Sequence, residues 1–165
     1  MDKRHFIQVI DQHRGTIRSL CQVYYATPED QKDAFQDIVL QLWKSFDSFE
    51  GKSQINTWIY RVGLNTLLSK KRKEQPSTSF TSIDGYQQLL QTSNSDDDLE
   101  LLHQVIQTLK DVDKAMVVLH LEGYKNKEIA NMLDLSTSNV ATRFNRIKAQ
   151  LKSRFNTHTY ATKRP

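Results

Sequence analysis

Apolar residues recur every three or four positions along most of this chain, and this spacing is typical of helices that bury one face. The first such segment covers residues 6–24 and predicts one helix. A second begins after Thr27, whose hydroxyl can accept a hydrogen bond from a free N–H group of the next turn. A third extends into the basic run at residues 70–73, and further helical patterns follow residue 99. Alternation with period two is too short everywhere to predict a strand, so the expected fold is all-α.

The distribution of charge and apolar residues divides the chain. Residues 76–98 are rich in Ser, Thr, Gln and Asp, carry four Asp and no Lys or Arg, and lack the apolar density of a folded core. Residues 1–75 have 12 Lys and Arg against 9 Asp and Glu, and residues 99–165 have 11 against 6. We predict two small helical domains, 1–75 and 99–153, an acidic polar linker at 76–98 and a basic tail at 154–165. Two basic lobes could contact a polyanion, although ordinary surface charge fits equally well.

The segment at residues 123–147 has the layout of a helix-turn-helix. Its turn falls near Asp134, because Asp tolerates a left-handed backbone better than most residues, and Ser136 can cap the second helix. The exposed face of that helix carries Thr137, Ser138, Asn139, Thr142, Arg143 and Arg146. Such side chains can bond base edges and phosphates in a major groove. DNA binding is favoured over a purely structural helix pair, because short polar residues precede arginines on one face.

Several classes of function are excluded by what the sequence lacks. No uncharged apolar run approaches the roughly 20 residues that span a bilayer, so membrane insertion is not expected. The N-terminus has neither the apolar segment nor the cleavage site of a secretion signal, which predicts a cytoplasmic protein. Cys21 is the only cysteine and is expected to be packed, and the histidines show no metal-ligand spacing. Without a phosphate-binding glycine loop or a catalytic set of residues, we expect no metal, no cofactor and no enzymatic activity.

Three strings in one order resemble the extracytoplasmic-function (ECF) sigma factors, the two-domain minimal members of the sigma family. Residues 33–43, DAFQDIVLQLW, resemble the DLxQExFLRLW stretch of region 2. Residues 57–65, TWIYRVGLN, resemble its TWLYRIxxN stretch, and residues 109–151 resemble region 4. The resemblance extends from about residue 5 to residue 153. The chain departs from the family at Lys110, where region 4 usually has proline, and at Lys125, where the helix-turn-helix often has Ser or Thr.

The resemblance implies that the chain binds core RNA polymerase, at the clamp coiled coil of the largest subunit and at the flap. The residues that match the clamp-binding helix are Asp33, Gln36 and Asp37. They fall at i, i+3 and i+4, which places them on one polar face of a helix. Their pattern alone favours a solvated acidic face, whereas the resemblance favours a contact with polymerase.

The resemblance also implies contacts with promoter DNA. For the minus-10 element the expected residues are Trp58, Tyr60, Arg61, Asn65, Lys70, Lys71, Arg72 and Lys73. Asn65 matches the family position associated with the minus-10 strand, and the cations could hold phosphates. By pattern alone, Trp58 suits a core better than a base stack, and the basic run could merely complement the helix dipole. The minus-35 element would be read by Thr137, Ser138, Asn139, Thr142, Arg143 and Arg146.

These observations predict a sigma factor that binds core polymerase, recognises minus-10 and minus-35 elements and supports promoter opening. It would give specificity to an enzyme without being one. The family also implies an anti-sigma factor as a partner, often a membrane-bound protein. The alternative is a helix-turn-helix transcriptional regulator in which residues 1–75 form a dimerisation or sensing domain. A helical enzyme with an accessory DNA-binding domain is a third class, for which the sequence offers no catalytic residues.

Overall fold

The computed structural model describes residues 3–49, 51, 53–75, 102 and 104–162. The helices are α1 (Lys3–Gln12), α2 (Arg14–Tyr24), α3 (Pro28–Ser45), α4 (Ile55–Glu74), α5 (Asp111–Leu121), α6 (Asn126–Leu133) and α7 (Thr137–Thr162). A 3₁₀ turn at Phe46–Ser48 follows α3, and residues 104–107 are helical. No strand occurs in these ranges, so the all-α prediction is confirmed. The predicted linker at 76–98 lies outside the described residues.

The single helix predicted over residues 6–24 is two helices, and that prediction was wrong. The break lies at His13, where the backbone takes φ −107° and ψ 13°. Gly15, just beyond it, belongs to the residue type least suited to a helix interior after proline. The apolar spacing continues in phase across the break, because Phe6 of α1 and Tyr24 of α2 are both buried. The pattern therefore gave no sign of the interruption.

Helices α2, α3 and α4 pack around one apolar core. Its fully buried side chains are Ile17, Leu20, Ile38, Leu42, Ile59, Leu64 and Leu67. Thr27 caps α3 as predicted, since its Oγ1 accepts a hydrogen bond from the Asp30 N–H at 3.2 Å. The close approach of α4 to α2 falls at Gly63, where an added Cβ would lie 3.0 Å from Cδ1 of Leu20.

Helices α6 and α7 form the predicted helix-turn-helix, with α5 packed against it. Asp134 takes the left-handed conformation expected of it, with φ 56° and ψ 47°. Ser136 caps α7, because its Oγ accepts a hydrogen bond from the Asn139 N–H at 3.1 Å. The shared core contains Met116, Leu119, Ile129, Val140 and Ile147. Helix α7 continues to Thr162, so its backbone runs through most of the segment predicted as a basic tail.

The two groups of helices contact each other through tyrosines. The Tyr24 hydroxyl donates to the carbonyl oxygen of Asp111 at 2.8 Å. On α4, Oγ1 of Thr57 lies 3.1 Å from the hydroxyl of Tyr124, and the rings of Tyr60 and Tyr124 meet edge to face with centroids 6.1 Å apart. These contacts cover part of α4 with the loop that precedes α6.

None of the described helices carries an apolar stretch long enough to cross a lipid bilayer.

Candidate nucleic-acid interface

The first turns of α7 present a polar surface. Thr137, Ser138, Asn139, Thr142 and Arg146 are exposed. Five of the six residues predicted to read the minus-35 element line one shallow depression: Ser138, Asn139, Thr142, Arg143 and Arg146. The left-handed residue Asp134 and the cap at Ser136 define the start of α7, so these side chains project from a capped helix N-terminus. Their hydroxyl, amide and guanidinium groups can donate to base edges and phosphates.

Arg143 differs from its neighbours on this surface, because part of its side chain is buried. Its Nε lies 3.4 Å from Oδ1 of Asp113, in the first turn of α5. Both of these atoms are buried, and neither makes a hydrogen bond. Asp113 was not recognised from the sequence as part of the candidate site. No sequence signal links it to Arg143, because the two residues lie on different helices thirty positions apart in the chain.

The predicted minus-10 residues in the middle of α4 differ in their exposure to solvent. Arg61 and Asn65 are exposed at i and i+4 and therefore lie on one face. Trp58 is half-buried between aromatic rings, with centroid distances of 5.9 Å to Phe46 and 4.9 Å to Phe49. Tyr60 is only 6% exposed, and burial raises the pKa of its hydroxyl. In this conformation Arg61 and Asn65 face solvent, and Tyr60 does not.

The four cations at the end of α4, residues 70–73, also differ in their surroundings. Nζ of Lys70 lies 2.5 Å from Oδ2 of Asp37, a hydrogen bond that raises the pKa of this lysine. Nζ of Lys71 lies 3.8 Å from the ring centroid of Tyr25 and 3.4 Å from Oε2 of Glu74. Arg72 and Lys73 are exposed. The first two cations therefore have acidic partners within the chain, while Arg72 and Lys73 direct their charge to solvent.

The acidic face of α3 includes an apolar patch. Asp33 and Gln36 are exposed, and Leu40, one turn further on, is 48% exposed. Trp43 is 37% exposed. Its ring packs edge to face on Phe6 at a centroid distance of 4.9 Å. Leu40 was missed by the sequence interpretation, yet its position at i+4 from Gln36 places it on the same face.

Comparison with known proteins identifies both halves of the chain. Residues 9–76 match the family model described as Sigma-70 region 2, and residues 99–151 match Sigma-70, region 4. The ECF RNA polymerase sigma factor SigM of Mycobacterium tuberculosis is 23% identical over 150 residues, which cover 91% of this chain and 76% of SigM. This chain is an ECF sigma factor of the sigma-70 family. Helices α2–α4 lie within its region 2 and helices α5 and α6 within its region 4.

Other sigma factors resemble this one over most of their length. RNA polymerase sigma factor YlaC of Bacillus subtilis is 28% identical over 160 residues, which cover 85% of this sigma factor and 92% of YlaC. The solved structure of the sigma factor RpoE with the anti-sigma factor NepR from Bartonella quintana has a TM-score of 0.68 at 17% identity. That match covers 93% of this sigma factor and 98% of the RpoE chain, and it shows a shared helical fold.

Within the described parts of this sigma factor, no group of three His, Cys, Asp or Glu side chains is arranged to hold a metal ion. Cys21 is packed in the region 2 core as predicted, with 1% of its surface exposed. Burial raises the pKa of its thiol to about 11. A thiol in this state is a poor nucleophile at neutral pH, because the reactive species is the thiolate.

Proposed function

We propose that this sigma factor reads the minus-35 element with the exposed face of α7, the minus-10 element with α4, and binds the polymerase clamp with α3. Residues 1–75 and 99–153 would serve as the two functional domains. The observation that carries the proposal is the depression on α7, where five of the six predicted minus-35 residues meet. Phosphate contacts would set the register of α7, and a few side chains would specify bases.

The contact with polymerase is proposed for the face of α3 that carries Asp33, Gln36 and Asp37. Leu40 extends this face with exposed apolar surface, which would be removed from water on binding. Carboxylates beside an apolar residue suit a partner surface that combines basic and apolar side chains, such as a coiled coil. The flap would contact region 4.

The contact with minus-10 DNA is proposed first for Arg61 and Asn65, which share the exposed face of α4, and then for Arg72 and Lys73. Lys70 and Lys71 would contribute only after leaving their acidic partners. Tyr60 would contribute only after the contact with Tyr124 opens. Trp58 would support the helix from the aromatic cluster, in which it is half-buried.

The sigma factor would work in the cytoplasm as a specificity subunit and catalyse no reaction itself. Its further partner would be an anti-sigma factor, because the structural neighbour RpoE is seen with one. An anti-sigma factor could hold region 2 and region 4 together and so cover both the α3 face and α7.

Transcription in vitro tests the proposal. Purified core polymerase with the full chain should produce discrete transcripts from genomic DNA, and mapping their starts should reveal a shared pair of upstream elements. Arg146→Ala should reduce initiation at these starts while leaving polymerase binding by α3 intact, because Arg146 lies in the α7 depression proposed to face DNA. Specific operator binding by the chain alone, without any association with polymerase, would instead identify a helix-turn-helix regulator.

A further inference from the structure

Asp113 and Arg143 form a pair between two helices of region 4. Oδ1 of Asp113 lies 3.4 Å from Nε of Arg143, and the side chains are 19% and 27% exposed. Both of these atoms are buried without a hydrogen-bond partner. The pair thus leaves the guanidinium's two terminal nitrogens as its remaining donor groups.

Arg143 also lines the depression on α7, beside Ser138, Asn139, Thr142 and Arg146. One side chain therefore meets both the acid of α5 and the surface of α7 that is proposed to bind DNA. Arginine is planar and presents its donors in a fixed fork, so the ion pair of Nε with Asp113 restricts the direction of the terminal nitrogens as well. A guanidinium held in this way loses less side-chain entropy when it binds a base than a freely rotating one.

We propose that Asp113 is a positioning residue that aims the terminal nitrogens of Arg143 at a base edge of the minus-35 element. The inference rests on the proposed function of α7 and deepens it, because it makes Arg143 the residue that discriminates between bases. Exposed Arg146 would then act mainly on phosphates. Asp113 itself touches no base.

Orientation and charge have opposite consequences for DNA binding, which makes the proposal testable. A carboxylate near a duplex repels phosphates, so removing its charge alone should raise the affinity for any sequence. If Asp113 orients Arg143, removing it should also lower the preference for the correct sequence over others. A merely stabilising role would leave the preference for the correct sequence unchanged once the variant is folded.

The experiment uses holoenzyme assembled from core polymerase and the full chain. The probes are a promoter fragment mapped by transcription with the wild-type protein and the same fragment with a scrambled minus-35 element. Competition binding gives the ratio of the two affinities. Asp113→Asn should lower this ratio roughly fivefold or more, the effect of one good base contact, without weakening binding to the scrambled fragment.

A double-mutant cycle shows whether Asp113 changes the sequence preference through Arg143. In the Arg143→Ala background, Asp113→Asn should leave the ratio unchanged, because the group it orients is gone. Asp134→Asn is the matched control, since it removes one negative charge from the helix-turn-helix at an exposed position and Asn tolerates the left-handed backbone. That control should leave the ratio at its wild-type value.

An unchanged ratio for Asp113→Asn, or an equal loss in both backgrounds, overturns the inference. Thermal melting checks each variant, and Asp113→Glu, which keeps the charge but moves it by one methylene, replaces Asp113→Asn if the latter does not fold. A displaced carboxylate should likewise lower the ratio, and an unchanged ratio again overturns the inference. If the wild-type holoenzyme itself does not distinguish the two fragments, the proposed role of α7 fails together with the inference.

Discussion

Lys70 at the end of α4 donates a hydrogen bond to Asp37 on α3, with Nζ and Oδ2 2.5 Å apart. The bond joins a residue predicted to bind DNA to one predicted to bind polymerase. Each group therefore lowers the charge that the other presents to an external partner. Any substitution of Asp37 also affects Lys70. The charge reversal Asp37→Lys, for example, would place two ammonium groups next to each other.

Asp37→Asn tests the polymerase face without this repulsion. If the clamp recognises the Asp37 carboxylate, the substitution should weaken polymerase binding by about 1.5 to 3 kcal/mol, the range for a hydrogen bond to a charged group. Titration of labelled sigma factor with core polymerase measures the loss. Lys70→Met is the matched control, because it breaks the same internal pair but keeps the carboxylate. Equal weakening by both variants would show that the pair supports the fold and that the carboxylate is not recognised.

Tyr124 covers α4, and its removal should expose the helix. Tyr124→Ala removes the ring that packs against Tyr60 and the hydroxyl group that lies beside Thr57. If these contacts contribute about 1 to 2 kcal/mol, amide hydrogen exchange in residues 58–62 of the free chain should accelerate about 5- to 30-fold. Tyr124→Phe, which loses only the hydroxyl, should give a smaller acceleration. The exposed Leu121, changed to Ala, serves as the control. An unchanged exchange rate in Tyr124→Ala would show that the contacts of Tyr124 do not stabilise residues 58–62 of α4.

Two glycines should respond differently to the same substitution. A Cβ at Gly63 would meet Cδ1 of Leu20 at 3.0 Å inside the core, whereas a Cβ at Gly15 would meet nothing within 4 Å. Gly63→Val should therefore lower the free energy of unfolding by about 1 to 3 kcal/mol through overpacking. Gly15→Val should change it by less than about 0.5 kcal/mol. Urea denaturation monitored by circular dichroism gives both free energies. Similar values for the two variants would show that α2 and α4 pack less tightly at Gly63 than the 3.0 Å approach to Leu20 indicates.

Local features of this sigma factor follow from the sequence, and contacts between distant residues do not. The cap at Thr27 and the left-handed turn at Asp134 depend on residues within one helical turn, so spacing and residue type predicted both. The all-α fold follows from apolar periodicity in the same way. The ring contact of Tyr60 with Tyr124 and the ion pair of Arg143 with Asp113 each join residues far apart in the chain. The spacing of residues along the sequence does not show which polar residues on different helices will contact each other.

The buried thiol of Cys21 should make alkylation a measure of unfolding. Burial raises the pKa of this thiol to about 11, and an unfolded thiol titrates near 9. At pH 8 the difference alone should slow reaction of the native protein with iodoacetamide about 100-fold relative to the protein in urea, because only the thiolate reacts. The unfolded chain loses the proton at lower pH, so the free energy of unfolding should fall as the pH rises from about 9 to 11. Cys21→Ala should lack this part of the pH dependence. Equal alkylation rates in the two states would mean that α2 opens readily, contrary to the packing seen around Cys21.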